Sequence, residues 1–136
     1  QMTYLDSYLL DGIEYKGTIG SYNITAALPE YKANLRLGYD VGPVKLTYAG
    51  NYIGKQDNQG NIAAFEDGGY STVDAYWYHD VNARWSVNDT VEVFGGVKNL
   101  ADKEPPVFDN APDGNTDPNS YDVLGRYFYV GGKLKF

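Results

Sequence analysis

The chain has 136 residues, a formal net charge of −7, 14 tyrosines, 16 glycines and no cysteine. That length holds one domain or a piece of one; the missing thiols exclude a disulfide framework and a thiolate metal site, and the lone His79 excludes a multi-histidine centre. The acidic balance argues against holding nucleic-acid phosphates, and no apolar run nears the ~20 residues of a membrane helix, although barrel strands cross with only ~9–11 alternating residues.

Gln1-Met2-Thr3-Tyr4 has neither the charged nor the apolar part of an export signal. The expectation is that a leader has been removed or that the chain begins partway into a longer protein. Thr3 to Leu9 is β-prone and aromatic and reads as a strand, although its faces are poorly sorted. Leu10 to Glu30, punctuated by Gly12, Gly17, Gly20 and Pro29, reads as a long loop. Lys32 to Val41 alternates: Ala33, Leu35, Leu37, Tyr39 and Val41 lie on one face, with Asn34, Arg36, Gly38 and Asp40 on the other. Gly42-Pro43 is a tight-turn signal, and Val44 to Gly54 returns with Val44, Leu46, Tyr48, Gly50 and Tyr52 on its apolar side, completing a hairpin.

Lys55 to Ser71 is a second long loop. Thr72 to Trp85 reads as one strand, with Val73, Ala75, Trp77, His79, Val81, Ala83 and Trp85 opposite Asp74, Tyr76, Tyr78, Asp80, Asn82 and Arg84. Ser86 to Asp89 is a short turn, and Thr90 to Lys98 climbs back. Asn99 to Leu124, rich in Asp, Asn and Pro, is the third long loop. Gly125 to Phe136 is the last strand: Phe128, Val130, Gly132, Leu134 and Phe136 share its apolar face, which runs to the final residue.

The chain is therefore all-β, with about six antiparallel strands whose connections alternate short and long, as in outer-membrane barrels. Tyr39, Trp85 and Phe136 fall toward the short-turn end, where an interfacial aromatic girdle belongs, and Trp77 and Trp85 read as interface anchors. A soluble all-β binding domain also alternates, but gives no reason for loop lengths to segregate. One face is expected to meet lipid and the other a watery interior, with Asp80 and Arg84 in one polar network. His79 falls on the lipid side without an evident reason. Asp109 to Asp117 is oxygen-rich, but its spacing misses a calcium loop and it reads as solvated. No nucleophile motif surrounds His79, so no enzyme is expected.

Two stretches resemble TonB-dependent outer-membrane receptors. Val97 to Pro106 is similar to their NL-x-D-K-x-P element through Asn99, Leu100, Asp102, Lys103 and Pro105; Ala101 stands where an aromatic is usual. Tyr121 to Gly131 resembles the opening of their final strand through Tyr121, Asp122, Gly125 and Arg126, and Leu28 to Leu35 with Tyr52-Ile53-Gly54 looks like earlier hairpins of the same barrels. The resemblance implies a transmembrane β-barrel of roughly 22 strands, of which residues 1–136 supply the C-terminal part, with the plug domain and earlier strands absent. It implies uptake of a scarce small-molecule ligand (a ferric siderophore, a cobalamin or a saccharide) powered by the TonB complex through the plug region. It also implies Phe136 as the signal read by the barrel-assembly machinery, and no cofactor. Arg126 is expected either to contact plug or ligand or, more simply, to pair with a neighbouring acid. An isolated piece would have open edges in hydrocarbon, so self-association is expected of it.

Overall fold

The computed structural model describes residues 1–21, 24, 26–58, 72–108 and 110–135. Every regular element among them is a strand: β1 (Met2–Tyr4), β2 (Leu9–Leu10), β3 (Ile13–Glu14), β4 (Thr18–Ile19), β5 (Tyr31–Val41), β6 (Val44–Ile53), β7 (Gln56–Asn58), β8 (Thr72–Val73), β9 (Tyr76–Ser86), β10 (Val91–Lys98) and β11 (Tyr127–Leu134). Six strands form one sheet in the order β1-β5-β6-β9-β10-β11. Their connections alternate as the sequence implied. Asn88 closes the β9–β10 turn, its Oδ1 accepting the Thr90 and Val91 amides at 2.9 and 2.8 Å, a local bond that makes Asn a turn former.

The register shows how the two faces are sorted. Residues directly opposite in antiparallel strands share a face. Trp85, Val93 and Gly132 form one row across β9, β10 and β11; Ala83, Gly95 and Val130 form the next; Val81, Val97 and Phe128 a third. The alternate rows carry Ser86, Glu92 and Lys133, then Arg84, Phe94 and Gly131, then Asn82, Gly96 and Tyr129. Apolar and polar residues thus stay segregated across three strands, which a one-residue slip would destroy. Every charged residue of the five long strands lies on the polar side. The apolar side is open: Val130 is 82%, Phe128 73% and Leu134 60% exposed. A soluble sandwich would bury such rows between two layers; here they are bare.

The chain falls into two compact units. The first holds Gln1–Ala33, Tyr52–Trp77 and Glu104–Val123. It contains its own small core of Tyr15, Ile19, Ala27, Ile53, Val73, Phe108 and Tyr121, where each large apolar side chain contributes about 1.5–3 kcal/mol on burial. The second holds Asn34–Asn51, Tyr78–Lys103 and Leu124–Phe136, chiefly strand residues of the large sheet.

Three expectations need correction. The strand expected over Thr3 to Leu9 stops at Tyr4, because Glu14 reaches back to bind Ser7 and Tyr8 and folds the chain into the β2–β3 hairpin. The strand expected over Thr72 to Trp85 is two: β8 pairs with β7 in a separate three-stranded sheet, burying Val73, and β9 starts afresh at Tyr76. The long loops carry structure of their own, including β4 and β7 paired in parallel. The second loop's residues 59–71 lie outside the described residues, as do Asp109 and Phe136.

Candidate functional site

The motif residues after β10 build a corner that ties three strands together. Asp80 on β9 accepts Lys98 Nζ at 2.6 Å through one carboxylate oxygen and the Asn99 amide at 3.0 Å through the other. The Leu100 amide donates to the His79 carbonyl at 2.7 Å. Asn99 then turns the chain with a φ of 48°, a left-handed conformation Asn tolerates better than most residues. Its side chain closes the turn on both sides: Oδ1 accepts the Lys103 amide at 2.8 Å and Nδ2 donates to the Lys103 carbonyl at 2.9 Å. Asn99 is 1% exposed, so these bonds satisfy an otherwise stranded amide.

Asp102, also left-handed at φ 54°, holds the start of the last strand. Its Oδ1 accepts the Arg126 amide at 2.8 Å and its Oδ2 lies 3.6 Å from the Arg126 guanidinium, which also reaches the Leu100 carbonyl at 3.4 Å. Arg126 is thus spent on its own corner, the simpler of the two roles expected for it. Gly125 has a φ of 70°, and a Cβ there would sit 3.1 Å from Asp102 Oδ1, so two constraints select glycine. Leu100 is exposed. Pro105, Tyr121 and Asp122 belong to the other compact unit. There Tyr121 is buried, its hydroxyl accepting Gln56 Nε2 at 2.6 Å and its ring meeting Tyr76 edge-on at 5.2 Å.

On the polar face, two aromatic rings lie over glycines of the facing strand. Phe94 covers Gly131, where a Cβ would meet its ring at 2.5 Å, and Tyr129 covers Gly96, where a Cβ would meet the hydroxyl at 2.6 Å. The Tyr129 hydroxyl accepts Asn82 Nδ2 at 3.0 Å. Beside these rings a concavity of about 370 Å³ is lined by Arg36, Asp80, Asn82, Arg84, Lys98 and Tyr129, among others. Asp80 and Arg84 do not share a network as expected: Asp80 takes Lys98, and Arg84 lies 3.6 Å from Glu92.

The apolar face explains His79. Its Nδ1 lies 2.7 Å from the Tyr48 hydroxyl, so the imidazole brings a polar partner with it onto the apolar side. Nothing in the period-two pattern shows that pairing. Trp77 stacks at a tilt against Tyr52 at 4.9 Å; Tyr39 and Trp85 stand exposed.

The long loops are held by carboxylates. Asp117 is wholly buried; its Oδ2 accepts the Ala27 amide at 3.0 Å and its Oδ1 the Asn119 amide at 3.0 Å. The solvated reading of that end of the Asp109–Asp117 stretch is therefore wrong: the residue staples two loops 90 positions apart. Glu14 accepts Ser7 Oγ at 2.7 Å and the Tyr8 and Lys16 amides at 2.7 and 2.9 Å. These donors, the serine hydroxyl foremost, lower its pKa to about 2. Among the described residues no group of three or more His, Asp or Glu side chains is arranged to hold a metal ion.

Residues 2–100 match the family model described as TonB dependent receptor-like, beta-barrel. No curated protein matches the chain. Among solved structures it is similar to the closed form of the ferric-catecholate import receptor Fiu of E. coli K12, with a TM-score of 0.62 at 20% identity over 90% of this chain. It spans 17% of that receptor's length, and the likeness is one of fold.

Proposed function

This chain belongs to the TonB-dependent receptor β-barrel family, and from that membership we propose that it is the C-terminal wall and outer loops of an outer-membrane receptor that takes up a scarce ligand with energy delivered through TonB. The observation that carries this reading is the sheet itself: long strands with all their charges on one face and bare Val, Leu and Phe on the other. Water penalises the second face and hydrocarbon does not.

The aromatic positions fit the same reading. Trp77 and Trp85 are eight residues apart on β9, which a strand spaces by ~27 Å, against an apolar band ~25 Å tall in outer-membrane barrels. The plug domain, the energy-coupling segment and the remaining strands belong to the rest of the receptor. The edges of the present sheet, β1 and β11, pair with that remainder, because a bare edge in lipid leaves backbone groups unsatisfied; an isolated piece pairs with its own copies instead. Phe136 serves the barrel-assembly machinery. The cargo is a ferric siderophore, a cobalamin-like molecule or a saccharide; the shared fold with a ferric-catecholate import receptor favours the first. The barrel wall is scaffold and does no chemistry of its own.

The test is uptake and location of the full-length receptor. It should fractionate with outer membranes, and radiolabelled ligand should accumulate only in cells with an intact TonB complex. A full-length protein that remains in the soluble fraction, or uptake indifferent to loss of TonB, would end the proposal.

A further inference from the structure

Charge is distributed unevenly along this chain. The three long loops, residues 5–30, 54–75 and 99–126, carry fourteen Asp and Glu against four Lys and Arg. The five long strands reverse the balance, with six bases and three acids. All nine face the polar side, so the wall presented there is electropositive in a chain whose net charge is −7. The concavity of about 370 Å³ lies on that side. Three cations line it. Lys98 is neutralised by Asp80 at 2.6 Å, and Arg84 lies 3.6 Å from Glu92. The Arg36 side chain makes no hydrogen bond or ion pair with a described residue. The concavity is also lined by Thr47 and Tyr129, whose hydroxyls are neutral donors, by Asn82, whose Nδ2 is committed to the Gly95 carbonyl and the Tyr129 hydroxyl, and by the apolar Phe94 and Ala49.

We propose that this concavity is a seat for an anionic oxygen group, a carboxylate or phosphate, gripped by Arg36 and backed by the Thr47 and Tyr129 hydroxyls. A planar guanidinium meets two such oxygens at once, the hydroxyls supply further donors, and the surplus positive charge of the wall favours the ion over water. The seat rests on the reading above that this face looks into a wet interior. The group comes either from an acidic side chain of the receptor's own interior or from a free anion. The chain's net charge of −7 disfavours a free anion and favours the receptor's own side chain.

The experiment follows thermal unfolding of the full-length receptor in detergent, as wild type, Arg36→Gln and Arg36→Lys. If the carboxylate is the receptor's own, Arg36→Gln melts a few degrees below wild type at low salt, the gap closes in about 0.5 M NaCl, and Arg36→Lys recovers part of it. If the anion is free, inorganic phosphate raises the wild-type midpoint, and Arg36→Gln needs about tenfold more phosphate for the same shift. Either result supports the seat and identifies its source. Identical midpoints for wild type and Arg36→Gln at every salt and phosphate concentration overturn it. Should Arg36→Gln fail to assemble, Arg36→Lys carries the same comparison through loss of the bidentate fork. A label on Arg36→Cys quenched by lipid-borne quencher overturns the premise about the face; no quenching, with no salt or phosphate difference, overturns the seat alone.

Discussion

Gly96 is the position where one added methyl group should cost most. A Cβ there would lie 2.5 Å from the Val81 carbonyl oxygen, 2.6 Å from the Tyr129 hydroxyl and 2.8 Å from its Cζ. The tyrosine ring can swing aside, at the cost of its 3.0 Å bond from Asn82, a loss of about 0.5–1.5 kcal/mol. The Val81 carbonyl cannot, because it belongs to the β9 backbone, which pairs with β10. Overpacking of that kind costs about 1–3 kcal/mol, so Gly96→Ala should destabilise by about 2–4 kcal/mol in all. Gly132 supplies the control on the neighbouring strand: a Cβ there meets only the Glu92 carbonyl at 3.7 Å, an ordinary contact. Gly132→Ala should therefore be neutral or gain up to about 0.5 kcal/mol from reduced unfolded-state freedom. Urea unfolding of the receptor in detergent, read by tryptophan fluorescence, compares the two. The double variant Gly96→Ala/Tyr129→Ala should remain destabilised, since the backbone clash persists. Wild-type stability of Gly96→Ala would refute the close approach of β9 to β10.

Three further outcomes follow from the loops and the chain end. Asp117→Ala strands the buried Ala27 amide and releases the exposed Asn119 amide and should destabilise the loop unit by about 1–3 kcal/mol, seen as faster amide exchange at Ala27 with strand amides unchanged; uniform exchange everywhere would contradict it. Glu14 has a folded pKa of about 2, below its ordinary 4.5, so its hold on Tyr8 and Lys16 is complete above about 4.5 and is lost as pH falls through about 2. A carbon-13 carboxyl titration of Glu14 centred near 4.5 rather than near 2 would disprove it. Deleting Phe136 should lower the amount of folded receptor in outer membranes more than it lowers ligand affinity of the receptor that does assemble; equal amounts of assembled wild type and truncated receptor would count against an assembly role.

The large sheet was legible in the sequence because its rule is simple. In β5, β6, β10 and β11 every second residue is apolar or glycine, so period two survives along each strand and fixes the faces of Val93 and Val130 from residue types alone. The loop unit was not legible, for a physical reason. Its strands are two or three residues long, too short for a period, and its order comes from single side chains acting over long separations, Asp117 on Ala27 and Asn110 on Gly20. The break at Asp74-Ala75 was invisible because the alternation of apolar residues runs straight through it. At the corner, the residue types of Asn99, Asp102 and Arg126 were readable, but their roles were not. Which acid takes Arg126, and whether Asp80 takes Lys98 or Arg84, depends on register between strands, and charges alone do not reveal it.

The central claim is that the two faces of this sheet meet different solvents. Nitroxide labels placed one at a time at residues 127–134 of the full-length receptor in bilayers measure it directly, through collision with oxygen, which partitions into lipid, and with a water-soluble nickel chelate. Phe128, Val130, Gly132 and Leu134 should show high oxygen and low nickel accessibility, with the reverse at Tyr127, Tyr129, Gly131 and Lys133. Accessibility without a period of two, or with nickel reaching Val130 as readily as Tyr129, would contradict the account.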